Sequence, residues 1–302
     1  MSNRWWVYQR ERFPILAHGP LIAAFSASAV SYSALLRAQT SLPLDGTLLA
    51  FGTAFLFFLQ LRIADEFKDF EDDSRYRPYR PVPRGLVKLS ELGWIGVGAG
   101  LLQLAAALAI EPRLVPFLLL VWAYLALMSY EFFVPHWLKA RPFTYMWTHM
   151  LIMPLIDFYA TACEWLVRRA DLPHELAWFL LVSFFNGMVI EIGRKLRAPA
   201  DEETGVETYS AIWGRGKGVA TWLIAMALCA ACALMAARSI QFLVPAAVVL
   251  ATLFFAACFI GQRFLASERS GAGKRIEMIS GIWTLTMYLI VGVVPFAVRN
   301  LL

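Results

Sequence analysis

The sequence predicts an all-α, polytopic membrane protein with nine transmembrane helices, and three observations carry that prediction. Hydrophobic residues fill 59% of the 302 positions and charged residues only 16%, with a mean hydropathy of +0.59, too apolar for a soluble chain of this length. The apolar residues gather in runs close to the ~20 residues that span a bilayer as a helix. Lys and Arg collect in every second loop.

In order, the runs cover 14–36, 46–64, 90–110, 114–133, 144–166, 175–193, 218–237, 240–262 and 278–298, separated by charged or Pro/Gly-containing stretches. The first follows Arg10-Glu11-Arg12, holds several serines and lacks a small-residue cleavage site, so it reads as a retained helix rather than a secretory signal. One side of the alternation carries Arg4, Arg10 and Arg12, then Lys68, Arg75, Arg77, Arg80, Arg84 and Lys88 after the second run, and Lys139 and Arg141 after the fourth. The same side carries Arg194, Lys195, Arg197, Arg215 and Lys217 after the sixth run and Arg263, Arg269, Lys274 and Arg275 after the eighth. Of the 27 basic residues only Arg37, Arg62, Arg113, Arg168, Arg169, Arg238 and Arg299 lie elsewhere. By the positive-inside rule the N-terminus and these loops are cytoplasmic, in a multi-pass protein of the cytoplasmic membrane.

The net charge of +5 therefore reports topology and attraction to the lipid bilayer, and no nucleic-acid module is present. Cys163, Cys229, Cys232 and Cys258 fall inside apolar runs; the C-x-x-C spacing of Cys229 and Cys232 has no second Cys/His pair, so buried structural cysteines are expected. Long linkers and low-complexity segments are absent, which leaves one domain over 1–302.

An acidic cluster stands where the second run ends: Asp65, Glu66, Asp69, Asp72 and Asp73, followed by Arg80-Pro81-Val82-Pro83-Arg84-Gly85. If the helix continues beyond the membrane edge, Arg62, Glu66, Asp69 and Asp73 share one stripe at i, i+4, i+7 and i+11. Acidic residues contribute little to topology, so their gathering needs another cause. Mg2+ takes oxygen ligands and is shared between one or two carboxylates and substrate phosphates. Carboxylates beside Arg75, Arg77, Arg80 and Arg84 describe a diphosphate site. A solvated, charge-mixed loop is the alternative.

A second mixed cluster follows the sixth run, from Asn186 through Glu191, Arg194, Lys195 and Arg197 to Asp201-Glu202-Glu203-Thr204-Gly205 and on to Gly214. Its position, four runs after the first, predicts two walls gripping one ligand.

At these residues the chain resembles the UbiA superfamily of intramembrane prenyltransferases. Asp65-Glu66-x-x-Asp69-x-x-x-Asp73 is similar to the family's N/D-D-x-x-D-x-x-x-D motif, with Glu in second place, and Arg80-Pro81-x-Pro83-x-Gly85 to the R-P-x-P-x-G run behind it. Asp201-x-x-x-Gly205-x-x-Thr208 and Gly214 resemble the end of the second motif. That motif usually reads Asp-x-x-x-Asp, and four residues before Asp201 stands Arg197; Glu191 is the candidate replacement carboxylate.

The resemblance implies a bundle enclosing a cytoplasm-facing catalytic chamber, in which an isoprenyl group leaves an allylic diphosphate donor and passes to an acceptor whose identity the motifs do not encode. Mg2+ is the implied cofactor, with Glu66, Asp69, Asp73, Glu191 and Asp201 as ligands and Asp65 beside them. Arg62, Arg77, Arg80, Arg194, Lys195 and Arg197 are the implied diphosphate contacts. Lys139 and Arg141 join them because Tyr130 to Arg141 resembles the family's Y...K-R segment, although topology alone explains both equally well. His149 and Asp157, eight residues apart in the fifth run, together with Asn186, are candidates for acceptor binding or proton transfer; an interhelical hydrogen-bond clamp is the competing reading. A terpene cyclase on the same scaffold is the alternative function, and a non-catalytic transporter or lipid-binding protein a more distant one.

Overall fold

The computed structural model describes residues 3–301, and helices are the only regular elements among them. Helix α1 (Arg4–Arg12) lies before the first long helix, α2 (Ile15–Leu36). The second apolar run becomes α3 (Leu44–Lys68), followed by the short α4 (Phe70–Tyr76). Next come α5 (Leu89–Ile110), α6 (Val115–Ser129), α7 (Pro135–Lys139), α8 (Pro142–Met150) and α9 (Ile152–Trp165). The second half holds α10 (Leu176–Arg194), α11 (Tyr209–Trp213), α12 (Arg215–Ser239), α13 (Leu243–Leu265), α14 (Gly273–Val291) and α15 (Val293–Leu301).

Eight helices among the described residues are long and apolar enough to cross a membrane, against the nine runs expected. The discrepancy is the fifth run, which is two helices end to end, α8 and α9, meeting at Leu151. Pro154 supplies the reason. It has no N–H to donate to the carbonyl four residues back, at Met150, and its ring crowds that carbonyl.

Helix α2 packs against α3, α9 and α14, and α10 against α9, α12 and α14, so these elements make the centre of the bundle. One continuous apolar core runs through them, with Phe25, Tyr32, Phe57, Phe179, Trp222 and Trp283 fully buried. Helices α5 and α13 keep most of their apolar side chains outward, as expected of lipid-facing spans. Gly46 sets the approach of α3 to α9: a Cβ there would strike the carbonyl of Cys163. The bundle thus brings the lower end of α3 and the lower end of α10 to opposite sides of one opening.

Candidate functional site

That opening is a cavity of about 1630 Å3, lined from the end of α3 by Arg62, Asp65, Lys68 and Asp69, and from α4 and its following loop by Asp72, Tyr76, Arg77 and Arg80. Glu191, Arg194, Lys195, Arg197, Asp201, Glu202 and Glu203 line the opposite wall. Lys139, Tyr145 and His149 form a third side, and Met128, Met146, Met150 and Met153 bring apolar surface into the same space.

The first acidic motif does not present a straight stripe. Helix α3 ends at Lys68, Asp69 adopts φ −93° and ψ 6°, and α4 restarts at Phe70. Two of the expected carboxylates lie off the cavity, Asp73 beyond this break and Glu66 within α3 itself. Glu66, 2% exposed, is paired with the buried guanidinium of Arg12 on α1. Asp73, 1% exposed, receives Arg77 at 2.8 Å and Arg80 at 2.5 Å, with Arg12 3.9 Å away. Both arginines reach the cavity, so Asp73 acts as their anchor. Asp72, outside the expected set, lines the cavity in its place. The break at Asp69 changes the register, and nothing in the residue pattern announces it.

Asp65 and Asp69 keep their expected place. Asp65 is only loosely accompanied, by Arg62 at 3.7 Å and Lys68 at 3.8 Å. Asp69 has no ion pair among the described residues. Burial raises its carboxyl above the ordinary aspartate value; Lys68 opposes the rise while Asp65 and Asp73 reinforce it. Burial also lowers Arg80 from its ordinary value, against the pull of Asp73.

On the other wall the acids are occupied. Glu191 holds Arg194 at 2.5 Å and Lys195 at 2.9 Å. Asp201 accepts from the Ser270 hydroxyl at 2.5 Å and the Gly271 N–H at 2.7 Å, and these two bonds draw its carboxyl below the usual aspartate range. Glu202 accepts from the Thr208 hydroxyl at 2.7 Å, and Glu203 pairs with Arg197 at 3.1 Å. Two contacts join the walls directly. Tyr79 donates to Glu203 at 3.2 Å, and Gly205, at φ +77°, lies under the Tyr76 ring where no side chain fits.

The remaining candidates divide. Lys139 lines the cavity, but Arg141 stacks on Trp137 at 4.4 Å and donates to its carbonyl, so it is a helix-end contact outside the cavity. His149 faces the cavity, whereas Asp157 is fully buried one helix further on, beyond the break at Leu151, facing Ser183 and Tyr288. Asn186 also lies off the cavity and exchanges hydrogen bonds with Thr284 of α14. The break separates His149 and Asp157, which the eight-residue spacing had placed together. Lys68, Tyr145, Tyr209 and Lys274 join the site unannounced, since a lone Lys or Tyr near a helix end carries no motif.

Among the described residues no three His, Cys, Asp or Glu side chains converge into a ready metal cluster. Mg2+ does not need one, because it keeps waters and fills its octahedron with substrate phosphate oxygens. Asp65 and Asp69, hard oxygen donors without close cationic partners, fit such an ion.

A helical bundle with membrane-length apolar helices and carboxylates facing guanidinium and ammonium groups across one opening defines a multi-pass membrane protein with a charged cavity. The sequence matches the model of the UbiA prenyltransferase family over residues 23–296, and the chain belongs to that family. Its fold is similar to a UbiA homolog from Aeropyrum pernix K1, at a TM-score of 0.69 and 14% identity, covering 94% of this chain and 98% of that one. A digeranylgeranylglyceryl phosphate synthase is similar at a TM-score of 0.61 and 14% identity, covering 96% and 98%. A UbiA homolog from Archaeoglobus fulgidus bound to DMAPP and Mg2+ follows at 0.56 and 14%, covering 94% and 98%. Comparison with curated protein sequences gave no match.

Proposed function

We propose that this protein is a Mg2+-dependent prenyltransferase, which takes an isoprenyl group from an allylic diphosphate and passes it to an acceptor within the membrane. The observation that carries this reading is the opposition of Asp65 and Asp69 on one wall to Arg194 and Lys195 on the other, with Arg77 and Arg80 also on the cavity surface. In this reading Asp65 and Asp69 hold the ion, with Asp72 in reach of the same space. Mg2+ when bound draws charge from the leaving diphosphate.

Arg77, Arg80, Arg194 and Lys195 bind the diphosphate oxygens, and the anchors Asp73 and Glu191 fix the direction of those cations before the donor arrives. Charge placed in advance where charge develops is usually the largest contribution to such a rate. The methionines deeper in the cavity and the lipid-facing helices keep water from the allylic cation. The UbiA homolog bound to DMAPP and Mg2+ supports the same assignment, as does the Lys/Arg distribution for a cytoplasmic mouth and a cytoplasmic-membrane location.

Incubation of the purified protein with Mg2+ and dimethylallyl, geranyl or longer allylic diphosphates, with and without acceptors, tests the reading through diphosphate release. Release that disappears on chelation and in Asp69→Asn is expected. Release in the absence of any acceptor, with a cyclic hydrocarbon or alcohol as product, would replace transferase by cyclase. Silence across the donors, with Asp69→Asn unchanged in donor binding, would remove the enzyme altogether.

A further inference from the structure

His149 is 6% exposed and belongs to the wall of the cavity. Its Nδ1 lies 2.7 Å from the Tyr145 carbonyl oxygen. A carbonyl only accepts, so Nδ1 carries the proton and Nε2 of the neutral ring keeps its lone pair. That lone pair is buried and has no hydrogen-bond partner among the described residues. Buried polar atoms are almost always matched, and a bare acceptor at a cavity wall calls for a donor from the ligand.

The surroundings tie the ring to the donor site. The Tyr145 ring stacks on His149 at 4.0 Å between centroids and 12° between planes. Lys68 Nζ sits 2.9 Å from the Tyr145 hydroxyl and 3.8 Å from Asp65 Oδ1, and the Tyr145 hydroxyl lies 3.3 Å from Glu131. The contacts run from Asp65 through Lys68 to Tyr145 and the stacked His149 ring, all four residues on the wall of one cavity. Mg2+ is a poor occupant for Nε2, since it selects oxygen ligands.

We propose that His149 Nε2 is the proton acceptor for the second substrate, and that this substrate is a hydroxyl-bearing molecule bound with its O–H on Nε2. The inference rests on the diphosphate-donor reading above. In the step, the bond from the allylic carbon to the diphosphate oxygen breaks and its electron pair leaves with the diphosphate. The O–H bond of the acceptor gives its proton to Nε2. The electron pair left on oxygen forms the new bond from that oxygen to the allylic carbon. The imidazolium then returns its proton to the released diphosphate or to water.

The test uses the full chain in lipid nanodiscs with Mg2+ and geranyl diphosphate, a hydroxy-aromatic acid or a long-chain primary alcohol as acceptor, and the methyl ether of each as control. Two rates are read: prenylated acceptor formed, and diphosphate released without acceptor. His149→Asn keeps a donor toward the Tyr145 carbonyl and removes the base; the ratio of transfer to acceptor-independent release is expected to fall about 100-fold, in the range for loss of a general base. His149→Gln, whose amide oxygen accepts a hydrogen bond near Nε2 but takes up no proton, leaves the ratio equally low, and the methyl ethers are not prenylated; recovery of the ratio in His149→Gln would show positioning alone and overturns the proposal. An unchanged ratio in both variants, or methyl ethers used as well as their parents, overturns the proposal. Diphosphate release by the wild type with neither acceptor class consumed also overturns it while leaving the donor site standing. No release by the wild type removes the donor reading and this one with it.

Discussion

On the wall formed by α3 and α4, Asp65 and Asp69 face the cavity without a close cationic partner, whereas on the wall formed by α10 and its following loop Glu191, Asp201, Glu202 and Glu203 are each engaged by a nearby donor or cation. The two walls have similar composition and different chemistry. In the proposed function the acids without a close partner serve a cation, while Glu191 and Glu203 aim the basic residues beside them and Asp201 and Glu202 tie down their own loop. Asp73, four residues after Asp69, belongs to the second type although it stands on the first wall. What decides a carboxylate's role here is its partner, and the partner is set by backbone direction.

This contrast is broken most easily at Asp69. Asp69→Asn is expected to lower diphosphate release by about 1,000-fold, as loss of a group that positions a catalytic ion does, and to shift the Mg2+ dependence to higher concentration. If Asp69→Asn and Glu191→Gln shift that dependence equally, both walls hold metal and the contrast fails. Asp73→Ala comes next. It leaves Arg77 and Arg80 without their shared anchor, so it is expected to raise the donor KM, leave the Mg2+ midpoint in place, and destabilise the fold by about 3 kcal/mol, as seen for a buried pair deprived of one partner; a thermal melt and a Mg2+ titration read the two effects.

Glu191→Gln is expected to weaken donor binding by about tenfold, the effect of roughly one charge-assisted hydrogen bond, at an unchanged Mg2+ midpoint. The smallest effect concerns pH. Asp69 is raised and Asp201 lowered relative to an ordinary aspartate. Acidification from neutrality therefore protonates Asp69 first, and Mg2+ affinity is expected to fall as pH drops through its raised value, while the Asp201 bonds to Ser270 and Gly271 persist to lower pH. Calorimetric Mg2+ titrations at stepped pH check this, and Asp69→Asn is expected to flatten the profile.

The bundle was legible because long apolar runs and the Lys/Arg alternation report bilayer thickness and topology directly. Pro154, the cause of the break in the fifth run, was visible, but its consequence, the separation of His149 from Asp157, depends on where the chain turns. In the first motif, Asp65 and Asp69 were readable from residue type alone. Glu66 and Asp73 were not, because their roles depend on the break at Asp69 and on Arg12, an arginine 54 residues before Glu66 along the chain. Lys68 and Tyr145 escaped for the same reason: each matters through a partner far away in sequence.

Arg12 carries a consequence for how this chain is handled. The family match begins at residue 23, so the helix Arg4–Arg12 lies outside it, yet Arg12 neutralises Glu66 and stands near Asp73, while Glu11 pairs with Arg84 at 3.0 Å and Arg4 with Glu91 at 2.7 Å. Trimming the chain to its family-matched portion would remove four ion pairs between the amino end and the segment from Glu66 to Glu91, and would strip the counter-charge from a buried carboxylate. The amino-terminal helix is thus part of the scaffold that holds the first acidic wall, and a shortened form would be a different site.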